Sequence, residues 1–263
     1  MSNIHPTAVI EDGATIGNNV TIGPFVTISS QAIIGDDNVI DAHANIAGKT
    51  TIGSGNHIFS HAVVGSIPQD LKFNGEDVEL IIGDNNKIRE FTLLNPGTIG
   101  GGSITKIGNN NLLMGYVHLG HDVIMGNNCI LANGATLAGH VELGNNVVIG
   151  GLTPIHQFVK IGDFAMVAGA SALSQDIPPF CMAEGNRATL RGLNLTGLRR
   201  ALARDEINAL KVAYKELFES GKALQETAEE LLNTSPSENV KKLVVFITQS
   251  KRGIPFIRKN NNG

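Results

Sequence analysis

An aliphatic residue returns every six positions over most of this chain. From Ile4 the frame runs Ile10, Ile16, Ile22, Ile28, Ile34, Ile40, Ile46, Ile52, Ile58 and Val64 without a miss. It resumes at Ile82, Ile88 and Leu94. From Ile107 it continues through Leu113, Leu119, Met125, Leu131, Leu137, Leu143, Ile149, Ile155, Ile161 and Val167 to Leu173. A period of six fits neither an α-helix, at about 3.6 residues per turn, nor a heptad. It fits a short strand and a corner, repeated, and such units bury their apolar face only by stacking on one another. Three hexads make one triangular coil, with the aliphatic side chain inside and Gly, Asn and Asp at corners that need positive φ. Successive coils stack about 4.8 Å apart. The expected fold is mainly β, a parallel β-helical prism over residues 1–186.

Composition fits a narrow, aliphatic interior. The chain has no Trp, two Tyr and only 5% aromatic residues, with 31 Gly, whereas conventional cores lean on aromatics. The frame ends at Ile177-Pro178-Pro179 and helical spacing takes over. Leu198, Leu202, Ile207, Leu210, Tyr214, Leu217 and Phe218 form one stripe closed by Gly221, and further helices are expected over 223–232 and 239–249. Residues 187–263 are thus expected to form a C-terminal α-helical subdomain. That part carries 14 Lys/Arg against 8 Asp/Glu, and residues 1–186 carry 6 against 16. A basic tail on an acidic body suggests either an acidic partner at the C-terminal end or simply solvated helix faces, and no nucleic-acid partner is expected. No stretch reaches the roughly 18 apolar residues of a membrane span, and entry into the repeat at Ile4 leaves no room for a leader. Two cysteines, Cys129 and Cys181, fall short of a disulfide framework, so a reduced, cytoplasmic setting is expected.

The repeat breaks twice. Between Val64 and Ile82 the frame would put Asp70 and Glu76 inside, and buried unpaired carboxylates are costly, so the segment should loop out. Between Leu94 and Ile107 the frame slips by one position, through Gly100, Gly101 and Gly102. Loops on a rigid solenoid are where binding groups tend to sit.

Positions three hexads apart stack in one row, which brings His121, Gly139 and Gln157 to one edge, with His156 and His140 beside them. A base near pKa 6.5 and a bare amide for a developing oxyanion are what acyl transfer needs. No nucleophile stands in that row and no Gly-x-Ser-x-Gly occurs, which favours direct transfer over a covalent intermediate. A second row holds Gly115, Asn133, Gly151 and Gly169; it is either a groove or a set of glycines demanded by the corners.

The combination of His118-Leu119-Gly120-His121-Asp122 with Gln69-Asp70-Leu71-Lys72, Leu137-Ala138-Gly139-His140, His156-Gln157-Phe158 and Gly185-Asn186-Arg187-Ala188-Thr189 resembles the acyl-(acyl-carrier-protein)–UDP-N-acetylglucosamine O-acyltransferases of lipid A biosynthesis. The resemblance runs from the first hexad to the C-terminal helices. It implies a left-handed coil and a homotrimer with sites between prisms, working without cofactor or metal. The donor would be an (R)-3-hydroxyacyl chain on acyl carrier protein and the acceptor the 3-hydroxyl of UDP-N-acetylglucosamine. In these terms His121 would be the general base, Asp122 its partner and Gly139 the oxyanion donor. Asp70, Lys72, His118, His140, His156 and Gln157 would line the substrate pockets, with Asp70 and Lys72 supplied by a neighbouring subunit. Asn194 and Arg200 would reach the nucleotide, and Gly169 would gauge acyl length. Arg187 stands where family members carry histidine and Thr196 where they carry a carboxylate; both bear on nucleotide contacts. Arg199, Arg200, Arg204 and Lys211 are candidates for docking the acidic carrier. Two rival readings are an acetyl-coenzyme A-dependent sugar acetyltransferase and a β-helical carbonic anhydrase with zinc held by three histidines.

Overall fold

A computed structural model of the chain describes residues 2–257; residues 258–263, part of the expected C-terminal subdomain, lie outside them. The hexads form the expected prism. Two-residue strands such as Asn3–Ile4, Val9–Ile10 and Thr15–Ile16 fall in turn on a first, second and third face. Each pairs in parallel with the strand three hexads on, Ile4 beside Ile22 and Ile10 beside Ile28. The inward aliphatic residues are dry: Ile22, Ile58, Leu94 and Leu131 are at most 1% exposed. Burying one such side chain stabilises by about 1.5–3 kcal/mol, and the stack repeats that gain coil by coil. At the open N-terminal end Ile4 remains 44% exposed, because no coil lies beneath it.

Both breaks loop out without disturbing the register. Ile58 still pairs with Ile88 across the first, and Leu94 with Leu119 across the second. The first loop leaves Asp70 and Glu76 at its surface rather than in the core. Its stem is pinned by Asn95, whose amide donates to the carbonyls of Ser66 at 3.0 Å and Ile67 at 3.1 Å.

The corners differ from expectation in two ways. Positive φ falls on large side chains as well as on Asn, Asp and Gly: Phe25, His43, His61, Phe91 and Tyr116 lie between +59° and +63° along the edge between the first and second faces. Their rings stack at 4.8–5.1 Å, which offsets the cost of about 1–2 kcal/mol for a left-handed non-glycine residue. Second, four asparagines sit inside the prism. Asn38, Asn56, Asn86 and Asn111 are at most 1% exposed, and each amide oxygen accepts the backbone N–H one coil on.

Beyond the prism the chain first adds a hairpin. Cys181–Glu184 continues the first face and pairs antiparallel with Thr189–Leu193, so the expected boundary at 186/187 falls in the hairpin turn. Four helices follow: α1 (Leu195–Ala201), α2 (Arg204–Phe218), α3 (Leu224–Thr234) and α4 (Glu238–Gln249). The single stripe expected from Leu198 to Phe218 is two helices, because Leu202 and Ala203 are extended. Basic Arg199 and Arg200 at the end of α1, and acidic Asp205 and Glu206 at the start of α2, are the charge signature of that break. No helix among the described residues is long and apolar enough to cross a membrane.

Candidate active site

The strand His118–Leu119 ends at the edge between the second and third faces, and Gly120, His121 and Asp122 turn that corner. Neighbours on a strand point to opposite sides, but Asp122 has φ +60°. This bend brings its carboxylate round to His121 Nδ1, 2.7 Å away. A carboxylate only accepts, so the proton lies on Nδ1 and leaves the Nε2 lone pair free to act as a base. Asp122 is 4% exposed. Its Oδ1 also accepts from the Thr98 N–H at 2.8 Å and its Oδ2 from the Thr98 hydroxyl at 2.6 Å.

One coil on, Gly139 lies against the His121 ring. A Cβ there would stand 2.6 Å from Nε2 and 2.5 Å from Cε1, so only glycine leaves room for the imidazole. The Gly139 N–H donates to no group among the described residues, which leaves it available at the position the row analysis assigns to an oxyanion donor. His140 follows at φ +61°, its ring perpendicular to that of His121 at 5.0 Å and stacked on Phe158 at 4.4 Å. Burial pushes the His140 pKa below the usual histidine value, against the nearby Asp122 and Asp70 carboxylates and with the His121 ring. His118 donates from Nδ1 to the Leu93 carbonyl at 3.1 Å, and burial lowers its pKa as well. Both imidazoles are therefore held toward the neutral form. Burial drives the two thiols the other way, Cys129 up to about 11, so neither cysteine offers a ready nucleophile.

His121, Asp122 and His140 bring their ligand atoms within 4.8 Å of one another. The carbonic-anhydrase reading calls for three histidines across a subunit interface; this cluster is two histidines and a carboxylate of one chain, and the carboxylate's Oδ2 already accepts two hydrogen bonds. A hydrogen-bonded base accounts for these groups without an ion.

The chain is 75% identical to the acyl-(acyl-carrier-protein)–UDP-N-acetylglucosamine O-acyltransferase of Sulfurimonas denitrificans over 260 residues, covering 99% of this chain and 100% of that protein. It is 72% identical, with the same coverage, to the enzyme of that name from Sulfurovum. The structure superposes on a UDP-N-acetylglucosamine acyltransferase from Campylobacter jejuni with a TM-score of 0.94 at 53% identity, over 97% of this chain and 100% of that one. The chain belongs to the acyl-(acyl-carrier-protein)–UDP-N-acetylglucosamine O-acyltransferase family. Residues 176–255 match the family described as UDP N-acetylglucosamine O-acyltransferase, domain 2. Residues 1–30 and 104–139 match the bacterial transferase hexapeptide repeats. Membership carries the left-handed coil, which strand pairing alone does not specify.

For an O-acyltransferase of this family the remaining expected residues fall into four groups. His156 and Gln157 are exposed on the same edge as His121. Asp70 and Lys72 sit on the first loop, where the Asp70 carboxylate accepts the Lys72 backbone N–H at 3.0 Å. Asn194 and Arg200 make no hydrogen bond or ion pair with the His121 group. Asn194 is 6% exposed and caps α1, accepting from the Gly197 N–H at 3.1 Å and donating to the Phe164 carbonyl at 3.0 Å. Within this chain Asn194 serves as the cap of α1; Arg200, Thr196 and Arg187 are exposed. Gly169 is exposed on another edge, between the first and second faces, in line with the other small residues of its column. Gly115, Gly151 and Gly169 do not have positive φ, so the corners do not demand glycine there. Exposed Tyr116 and Leu152 flank the column, and its lower end opens into a cleft of about 250 Å³ lined by Phe91, Met114 and Asn133. Sequence reasoning missed Arg252, whose guanidinium donates to His156 Nδ1 at 3.2 Å from far along the chain. It missed Thr98 too, whose only signal was its place in the second break.

Proposed function

We propose that the chain transfers an (R)-3-hydroxyacyl group from acyl carrier protein to the 3-hydroxyl of UDP-N-acetylglucosamine, the reaction that opens lipid A assembly. The observation that carries this reading is the His121–Asp122 pair with its ring against Gly139. His121 Nε2 takes the proton of the sugar hydroxyl as its oxygen attacks the thioester carbonyl. The Gly139 N–H holds the oxyanion that forms. As the tetrahedral centre collapses, the C–S bond breaks and the imidazolium returns the proton to the carrier's thiolate. A general base of this kind contributes about 10²–10⁴-fold and one oxyanion donor about 10²–10³-fold. His118, His140, His156, Gln157, Asp70 and Lys72 line the pockets, and Gly169 gauges the acyl chain.

Arg199, Arg204 and Lys211 converge on a cleft of about 450 Å³ between α1 and α2, and this is our candidate dock for the acidic carrier. We propose a homotrimer as well; the placement of Gly169 on a different edge from His121 supports a site shared between copies. We place the enzyme in the cytoplasm, where it would use soluble substrates. The decisive experiment mixes UDP-N-acetylglucosamine with acyl-carrier thioesters of several lengths and weighs the products. An O-acylated nucleotide sugar is expected, and its loss in His121→Ala with the fold intact. A variant keeping a tenth of wild-type activity removes His121 from the role of base.

A further inference from the structure

The second break in the repeat does more than interrupt a coil. After Leu94 the chain runs through Asn95, Pro96, Gly97 and Thr98, turns over Ile99–Gly101 and rejoins the third face at Ile104. Thr98 is 8% exposed, and both of its donors go to one side chain, the N–H to Asp122 Oδ1 and the hydroxyl to Asp122 Oδ2. From the next strand Thr105 Oγ1 accepts the Asp122 backbone N–H at 2.8 Å. Gly101 closes the remaining side, because a Cβ on it would run into the carboxylate. Its φ is not positive, so the backbone would tolerate alanine; the carboxylate alone forbids one. Gly97 lets the loop close, since a Cβ there would strike the backbone of Ser103 and Ile104.

From this geometry we infer that Thr98 is a positioning residue for the transfer reaction: its two hydrogen bonds fix the Asp122 carboxylate, which in turn aims His121. The inference rests on the reading of His121 as the base. A carboxylate held at one oxygen only can rotate about its Cα–Cβ–Cγ bonds. Held at both, it presents a single direction to His121 Nδ1, and the Nε2 lone pair then points where the hydroxyl must arrive. Errors of about 1 Å in such geometry cost on the order of 10²-fold in rate. The charged and titratable groups facing Asp122 are few. They are His121 on its own corner, His140 with Nε2 3.8 Å from Oδ2, and Asp70 acting on His140 from the first loop. Thr98 and Thr105 are neutral, so the clamp restrains the carboxylate without adding charge.

Thr98→Val keeps the shape and the backbone bond and removes the hydroxyl donor. A hydrogen bond to an ionised group is worth on the order of 10–100-fold, and kcat should fall by that factor with both KM values nearly unchanged. Losing the donor leaves the carboxylate more basic and tightens its hold on the His121 proton. The acid limb of the kcat/KM profile should therefore move to higher pH. Thr98→Ser should restore both rate and profile. Gly101→Ala presses the carboxylate from the opposite side on an exposed turn, and should lower kcat in the same way; it carries the test should the Val variant fail to fold. Wild-type kcat and pH profile in a folded Thr98→Val or Gly101→Ala enzyme overturn the inference. His121→Ala, assayed in parallel, separates the two readings. If it is inactive while Thr98→Val is normal, only the clamp fails; if it is active, the base assignment fails first.

Discussion

One methyl group at Gly139 tests how closely the site is built. The residue does not need a left-handed backbone, so alanine suits its conformation, yet the added carbon would overlap the His121 ring. The imidazole must then swing aside by about an ångström, which costs on the order of 10²-fold in kcat/KM, while the melting temperature should change little. Near-normal activity would reduce Gly139 to a space-filler. A second test uses pH. Burial lowers the His118 and His140 pKa values, so below about 6.5 the unfolded chain takes up protons that the folded chain refuses. The stability these residues allow is complete above that pH and is lost as pH falls through their depressed folded values. Thermal midpoints should decline as pH falls below about 6.5, less steeply in His118→Gln; parallel curves would remove His118 as a source of the decline. The row of His121, Gly139 and Gln157 was legible because stacking every three hexads is arithmetic. Thr98 and Arg252 were not, since each reaches the site through a loop or tail whose path the period does not specify.

Most of the prism's strands are two residues long and hold only because neighbours repeat them. The asparagine ladder shows how this works in the dry interior. Asn86 accepts from the Asn111 N–H at 2.9 Å and donates to the Asn56 amide oxygen and the Gly108 carbonyl, both at 3.0 Å. Asn86→Ala strands those partners without water, at about 1–3 kcal/mol for each group left unpaired. The melting temperature should drop by several degrees, since about 1 kcal/mol shifts a midpoint by roughly 2–4 °C at this size; an unchanged midpoint would mean the ladder is ornamental. The hexad frame predicted one inward aliphatic row and both outward loops, but not the second buried row two residues earlier, which holds Val20, Val26, Val117, Val123, Val141, Val147 and Val159. It put asparagine at corners, because a sequence shows that the residue tolerates positive φ but not that its amide can bridge coils from within. The hairpin from Cys181 to Leu193 escaped notice for a related reason: its strands depend on the first face already standing beside them.

At the scale of the whole molecule, His121 and Gly169 cannot serve the same site within one prism, because they occupy different edges of it. If Gly169 limits the acyl chain whose thioester His121 helps to open, each site must join two copies. This can be checked without a structure of the assembly. His121→Ala enzyme should be inactive, and Gly169→Met enzyme should accept only shorter chains because the thioether fills the groove. Neither parent transfers the long chain. Unfolding and refolding the two together should make mixed assemblies, and in the proposed trimer each hybrid has one interface that pairs an intact His121 with an intact Gly169 of the next copy. Long-chain transfer should reappear in the mixture at a substantial fraction of the wild-type rate, with mass measurement confirming hybrids near three times the 27.8 kDa chain. Hybrids that form and stay silent toward long chains would place base and ruler in one copy and dissolve the argument for a shared site. A Gly169→Met parent with an unaltered chain-length profile would instead remove the ruler and leave the trimer standing.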